Sequence, residues 1–500
     1  MDYFQLVCAI GAVLLALYYY YTSTFDYWKI RNIVGPRPTV LVGNLGEILL
    51  RKMSISDKLK QMYNEYKNEP VFGMFEGMKP VLVINDLDLI KDVLIKDFSL
   101  FVDRGFPMHP KAEPLSEHLF ALEEERWRPM RTKLSPIFTS GKLKEMVLLM
   151  LECSKNLERY VEKVARAGKP VECRDLAAKF TTDVIGSCAF GINMNAIEDE
   201  RSEFREIGKK LFEQTPRMQA RDLCRQFLPN FYNLFGSFLQ PPGVDQFLTD
   251  VITDTIKYRK ENNIARPDFV NALMEIQDHP EKLENIKLTP SFIAAQAFVF
   301  FTAGFETSST TMSHALYELA QNQDVQDKLR KEIREIYEKH GGEITYDTLK
   351  EMKYLEKVFK EVLRMYPLLS MLTREVSENY TFKGTKITIE KGMTVWIPVY
   401  GIQRDPNIYP DPDKFDPERF NEDAIASRHP MSFLSFGNGP RNCIGARFAY
   451  SQSKIGLATI LRNYKVDVCE KTKIPYESDP YLFLLTPRDG VHLKITKVEN

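Results

Sequence analysis

No Cys-x-x-Cys pair occurs among the seven cysteines (8, 153, 173, 188, 224, 443 and 469), which are odd in number and scattered. That spacing excludes a disulfide framework, a zinc site and a c-type haem attachment, and it suits a reducing compartment. An excess of one charge is also missing. With 67 basic and 68 acidic residues the net charge is −1, so the chain carries no electrostatic footprint for nucleic acid. No Gly/Ser/Pro-rich linker splits the 500 residues after about residue 45. One large unit with a minor β-rich part is therefore expected, where length alone would allow several domains. No Gly-x-Gly-x-x-Gly lies between a strand-like and a helix-like run, so the chain has no dinucleotide-binding module of its own.

What is present concentrates in one stretch. Residues 436–445 read Phe-Gly-Asn-Gly-Pro-Arg-Asn-Cys-Ile-Gly and run into a helix-like segment, Ala446 to Leu461. These residue types suit a thiolate bound to an iron porphyrin. Gly437, Gly439 and Gly445 let the backbone come close under a wide, flat ligand. Backbone N–H groups and the N-terminus of the following helix favour the Cys443 anion. Arg441 is a fork-shaped donor for a propionate, and Phe436 can cover the sulfur from water. A buried cysteine in a glycine-rich turn is the plain alternative. However, Phe-x-x-Gly-x-Arg-x-Cys-x-Gly fixes five positions and would arise by chance in about one chain of this length in ten thousand. The stretch resembles the haem-thiolate signature of the cytochrome P450 family.

Tyr3–Tyr21 is a run of roughly 19 residues without a charge, long enough to span a bilayer. Tyr18–Tyr21, Tyr27 and Trp28 form an aromatic collar at its exit; Lys29, Arg31 and Arg37 follow, while only Asp2 precedes. This bias predicts a membrane anchor over residues 1–28, with the N-terminus outside and the rest in the cytosol. A stiff hinge with Pro36 and Pro38 is expected over 29–45, and a catalytic domain over 46–500. Asn379-Tyr380-Thr381 is a glycosylation sequon, and a glycan there would contradict that placement.

Sequence pattern predicts strands over 70–75 and 80–85, and helices over 56–66, 123–137, 142–167 and 176–190. The polar stretch 257–268 is expected as a loop, and 346–366 as one helix ending before Pro367. The aromatic run 227–235 reads either as core or as an exposed patch dipping into a bilayer. Irregular residues 106–122 are expected to roof a pocket, with His109 and His118 as loop histidines, not metal ligands. Trp127 and Arg131 share one helical face as donors for a propionate. Arg126, Arg128 and Lys133 make the other faces basic, as a solvated surface or as a dock for an acidic electron donor.

Thr289-Pro290 has cap-then-proline chemistry and opens the longest apolar helix, 291–321. Its middle reads Ala303-Gly304-Phe305-Glu306-Thr307-Ser308. A glycine there weakens a helix by about 1 kcal/mol, and Thr307 can bond the Ala303 carbonyl. Together they are expected to open a groove for dioxygen, with Glu306 and Thr307 relaying protons.

The resemblance runs from the anchor to the C-terminus. Its motifs stand in the family's order: Trp127-x-x-x-Arg131, Ala303-Gly-x-Glu-Thr-Ser, Glu361-x-x-Arg364, Pro417-Glu-Arg-Phe420 and the cysteine loop. Asp103-Arg104-Gly105 and the anchor are similar to insect microsomal members that oxidise toxins and plant chemicals. The implied fold is mainly α with a minor β part, with haem b between the long central helix and the cysteine-loop helix. Cys443 is the implied axial ligand, and Arg104, Trp127, Arg131, Ala303, Arg374, Phe436, Arg441 and Gly445 the implied cofactor contacts. Glu306 and Thr307 are the implied catalytic pair; Glu361, Arg364 and Arg419 form a structural triad. The implied activity is a monooxygenase that inserts one oxygen atom of O2 into a lipophilic xenobiotic, plant chemical or endogenous lipid. Its place is the endoplasmic reticulum membrane, with the catalytic domain on the cytoplasmic face. Electrons come from NADPH through NADPH-cytochrome P450 reductase, with cytochrome b5 as an optional second donor. The rivals are an isomerase or dehydratase on the same fold and a non-catalytic haem-binding protein. Phe106, Phe120, Leu211, Phe298, Phe301, Leu369, Met371, Phe483 and Leu484 are the pocket candidates, and they point to a lipophilic, partly aromatic substrate without identifying it.

Overall fold

A computed structural model describes residues 3–199, 202–213, 215–266, 268–283 and 286–498. Its layout follows from the 32-residue helix Pro290–Gln321, which starts where the sequence places it. Thr289 Oγ1 accepts the Phe292 N–H at 3.1 Å, and Pro290 fills the first turn, where no donor is needed. Past residue 304 this helix is buried on nearly every side, so it forms the axis of the largest hydrophobic core. Cys173–Ile185 packs on one flank. A Cβ at Gly304 would lie 2.2 Å from Ile185 Cδ1, so only glycine allows that approach. The helix Ala446–Asn463 packs on another flank through Gly456, where a Cβ would meet Met312 Cε at 2.4 Å.

The β part is small. Val71–Glu76 (β1), Lys79–Ile84 (β2), Val171–Glu172 (β3), Leu372–Glu375 (β4), Tyr380–Thr381 (β5), Thr388–Ile389 (β6), Thr394–Ile397 (β7), Tyr464–Val468 (β8) and His492–Lys497 (β9) form three sheets. Their orders are β1-β2-β7-β4, β3-β9-β8 and β5-β6. Among the described residues only β2 and β7 pair parallel; every other strand pair is antiparallel. β1 and β2 match the two strands read from the sequence to within one residue.

Two elements differ from expectation. The stretch 257–268 does not begin as a loop, because Val244–Glu261 is one helix. Val244, Leu248, Ile252 and Ile256 are its buried row, and the next member is Arg259. That guanidinium is buried against Asp268, with both oxygens at 2.7 Å, so a charged residue occupies a core position and hides the periodicity. The segment 346–366 is two helices, Tyr346–Glu351 and Lys353–Met365, broken at Met352 with φ −70° and ψ 74°. Glu332 accepts the freed N–H groups of Tyr354 and Leu355 at 2.7 and 2.9 Å, a tertiary cap that local sequence does not show.

Tyr3–Thr22 is the one helix, among the described residues, long and apolar enough to cross a membrane. The run 227–235 is an exposed patch and not core: Phe227, Leu228, Phe231, Leu234 and Phe235 are exposed, and only Tyr232 is buried.

Candidate active site

A cavity of about 280 Å³ lies between the central helix and the cysteine loop. Its floor is the turn before Ala446–Asn463. The Cys443 N–H donates to the Phe436 carbonyl at 2.8 Å and closes the loop. Gly437 and Gly439 stand at φ +68° and +73°, which favours glycine at both. A Cβ at Gly439 would lie 1.8 Å from the Leu94 carbonyl. Its bareness thus serves contact with the 92–96 turn and not clearance beneath a ligand, as expected for it from sequence. Cys443 and Ala303 are both exposed although they sit inside the fold, because their free surfaces face this cavity. Burial in protein pushes the Cys443 thiol pKa up; the Gly445 N–H and the Arg131 and Arg104 guanidiniums act against that.

Three arginines surround the same space. Arg374 and Arg441 are 1 % and 2 % exposed, and Arg104 is half-buried. Arg104 donates to the carbonyls of Phe120 and Arg441 at 2.8 and 2.9 Å, and Arg441 to those of Val102 and Leu122 at 3.0 and 2.6 Å. Arg374 donates to the Thr373 carbonyl at 2.7 Å. Of these three arginines, two keep a buried donor with no partner among the described residues, at Arg374 Nε and Arg441 Nη1; Arg205, Arg334 and Arg419 each keep one elsewhere. Burial pushes the pKa of all three guanidiniums down, and for Arg104 and Arg441 the neighbouring arginines add to it. Asp103, 3.5 Å from Arg441, is the nearby carboxylate. Unpaired guanidinium donors beside a cavity with a free sulfur fit a flat ligand that carries its own carboxylates and a thiolate-binding metal. Trp127 lies beneath Arg441, with the guanidinium carbon 4.2 Å from the ring centre. Arg131 shares its helix, but its donors are engaged by Asn442, at 2.9 Å to the carbonyl and 2.8 Å to Oδ1, so in the structure it braces the cysteine loop.

The ceiling is the central helix. Ala303, Gly304, Thr307, Ser308 and Thr311 line the cavity, and Thr307 Oγ1 donates to the Ala303 carbonyl at 2.6 Å as expected. Glu306 is not among the lining residues. Adjacent helical positions point about 100° apart, so Thr307 facing inward turns Glu306 aside. There it is 3 % exposed and paired with Arg174 Nε at 2.8 Å and with Nη2, with Thr310 Oγ1 at 3.4 Å. Arg174 belongs to no motif, and nothing in the linear sequence marks it.

The triad Glu361–Arg364–Arg419 is assembled below. Glu361 accepts from Arg364 Nε and Nη2 at 2.7 and 2.8 Å and from the Asp416 N–H at 3.0 Å, with Arg419 Nε 3.4 Å away. Arg364 Nη1 donates to the Gln403 carbonyl at 2.9 Å, and Gln403 Oε1 accepts from Leu434 N–H and Ser435 Oγ at 2.8 and 3.1 Å. Gln403, missed in the sequence, carries the triad's rigidity to the start of the cysteine loop.

Of the pocket candidates, Phe106, Phe120, Leu369, Met371 and Phe483 line the cavity; Leu211, Phe298, Phe301 and Leu484 do not. Phe301 is fully buried and packs against Phe204 and Phe305. The lining face runs through 299, 300, 303, 304, 307, 308 and 311. Counting turns back from Thr307 would have selected Val299 and Phe300. Phe106 and Phe120 stack at 5.6 Å, and the Arg104 guanidinium lies 4.0 Å from the Phe120 ring centre. The basic helix 124–134 is mixed in charge: Arg126 pairs with Glu117 and Glu123, and Arg128 with Glu124.

Comparison with known proteins bears on this geometry. A family model described as Cytochrome P450 matches residues 34–494. Probable cytochrome P450 6a14 of Drosophila melanogaster is 42% identical, the match covering 98% of this chain and 99% of the relative. Cytochrome P450 6A1 of Musca domestica is 40% identical over 99% of this chain and 98% of its own. Cytochrome P450 6a2 of Drosophila melanogaster is 40% identical over 99% and 100%.

Proposed function

The chain belongs to the cytochrome P450 family and is a haem-dependent monooxygenase; on that premise we propose that Cys443 is the axial ligand and that the substrate is a lipophilic small molecule. The observation that carries this reading is the pair of unengaged buried donors, Arg374 Nε and Arg441 Nη1, beside a cavity into which the Cys443 sulfur opens. When bound, the haem supplies dioxygen activation, which a thiolate ligand favours. Arg374 and Arg441 would take the porphyrin carboxylates, with Arg104 and Trp127 beside them and Arg131 holding Asn442. Phe436 would keep water from the sulfur. Burial raises the Cys443 pKa, against the Gly445 N–H and the Arg131 and Arg104 guanidiniums, and a bound metal would favour the thiolate further.

Thr307 lines the cavity with its Oγ1 proton held by the Ala303 carbonyl, so it presents an acceptor there and would pass a proton inward only on releasing that bond. Glu306 stands one position away as the carboxylate that resupplies it, once Arg174 lets it turn. Phe106, Phe120, Leu369, Met371 and Phe483 form an apolar, partly aromatic wall, which favours a xenobiotic, plant chemical or lipid of that character. The chain has no nucleotide-binding motif, so we assign its electrons to a separate NADPH-cytochrome P450 reductase, with cytochrome b5 as an accessory donor. Residues 1–28 serve as anchor and 46–500 as catalytic domain. The place is the endoplasmic reticulum membrane, with the catalytic domain on its cytoplasmic face.

The decisive experiment is a carbon monoxide difference spectrum of the reduced holoprotein, followed by turnover of a lipophilic panel with reductase and NADPH. The thiolate band is expected in the wild type and absent in Cys443→Ser. Product formation that ignores NADPH would favour an isomerase or dehydratase instead.

A further inference from the structure

The anchor helix Tyr3–Thr22 buries no residue, as a membrane span outside its bilayer must. The connector beyond it is not a loose tether. Only Ser23 separates the helix from Thr24, whose Oγ1 donates to the Met78 carbonyl in the turn between β1 and β2 at 2.7 Å. Phe25 packs on Phe75 with ring centres 5.4 Å apart. Trp28 is 3 % exposed, and its Nε1 donates to the Met74 carbonyl at 3.0 Å. The indole occupies the space left by Gly73, where a Cβ would lie 2.2–2.5 Å from three ring atoms. β1 is an edge strand, and the connector covers that edge. The Gly73 N–H donates to the Val34 carbonyl, and the Asn44 N–H to the Phe75 carbonyl, each at 2.8 Å. Asn44 Oδ1 accepts the Phe75 N–H at 2.8 Å while Nδ2 holds the Pro36 and Arg37 carbonyls. Arg31 pairs with Glu390 and lies 3.6 Å from the Tyr27 ring centre. A Cβ at Gly35 would lie 1.9 Å from the Gly73 carbonyl oxygen, so the two backbones touch.

A flexible linker has few contacts and solvated backbone. This connector has the opposite character. We propose that it is a rigid mount: Trp28, seated on Gly73, locks the exit of the membrane helix to β1, so that the bilayer holding residues 3–22 meets the catalytic unit in one orientation. The partner is a lipid bilayer, which rests on the anchor reading above. Ile30, Leu41 and Leu50, exposed at 74 %, 48 % and 67 %, would then be held at a set depth against it.

The test uses the full-length holoprotein in phosphatidylcholine nanodiscs, with hydrogen exchange over residues 24–44 and linear dichroism of the haem in oriented bilayers. The wild-type connector is expected to exchange about 100-fold more slowly than an unstructured peptide; Trp28→Ala should remove at least about tenfold of that, and Trp28→Phe much less. A four-residue Gly-Ser insertion after Ser23 should leave this exchange unchanged but broaden the haem tilt distribution. A freely exchanging wild-type connector, or a tilt that the insertion does not alter, overturns the mount. Flotation with phosphatidylcholine vesicles separates the two readings. A protein that does not float overturns the anchor itself, whereas one that floats with a freely exchanging connector overturns the mount alone.

Discussion

In the Glu361–Arg364–Arg419 triad, a fully buried carboxylate receives two bonds from one guanidinium and a backbone N–H from the segment it braces. Around the cavity, Arg104, Arg374 and Arg441 are brought together with one carboxylate near them and with two donors unmatched. Both groups cost desolvation; the first recovers most of it within the chain through the Glu361–Arg364 pair, although Arg419 Nε, 3.4 Å from Glu361, makes no hydrogen bond. Each nitrogen of Arg364 finds a partner within the chain, whereas Arg374 Nε and Arg441 Nη1 find none and belong to residues that line the cavity. On the proposed function, these unmatched donors beside the cavity are where a negatively charged ligand would complete the interior.

That contrast can be broken in three ways. The largest effect is expected from Arg364→Ala, which strands the Glu361 charge in the core. Chemical denaturation of the holoprotein should show a loss of about 3–5 kcal/mol, and a loss well below 1 kcal/mol would remove the triad's structural role. Next, Arg374→Met should leave the haem-free protein as stable or more so, because an unmatched buried charge is gone. Haem transfer to an acceptor globin should nevertheless become about 10- to 100-fold more favourable, the worth of one charge-assisted hydrogen bond. If haem-free stability falls as steeply as in Arg364→Ala, the two groups are not of different kinds.

The smallest effect concerns the sulfur. In the haem-free protein the folded Cys443 pKa lies above the usual thiol value, with burial as the main cause. Its contribution to stability is therefore complete below the unfolded thiol pKa and lost as pH rises through the folded one. The pH midpoint for iodoacetamide alkylation of Cys443 should lie above that of a free thiol. Arg131→Gln removes a lowering influence and should move it higher still. A midpoint at or below the free-thiol value would mean that the pocket prepares the anion without metal.

Much of this was legible in the linear chain, because it depends on local rules. The cap at Thr289, the bond from Thr307 to Ala303 and the Glu361–Arg364 pair each span four residues or fewer. What was not legible depends on which face of an element meets which neighbour. Glu306 and Phe301 sit near Thr307 in sequence, which groups them with the cavity, yet helical rotation sends one to Arg174 and the other to Phe204. Arg174, Gln403 and Glu332 act across 132, 31 and 22 residues, and no spacing rule announces them.

Gly439, pressed against the Leu94 carbonyl, has a wider mechanical meaning. Together with the bond from Arg441 to Val102, it fuses the cysteine loop to the segment that leads up to the roof. Base and sulfur thus translate as one piece, and the height of the chamber at Arg104 is a fixed gauge. Of the aromatic pair in the roof, Phe120 is tied back to Arg104 through its carbonyl, while Phe106 lies beyond Gly105, at φ +72°, so room for a bulky guest would come from Phe106 while the sulfur stays where it is.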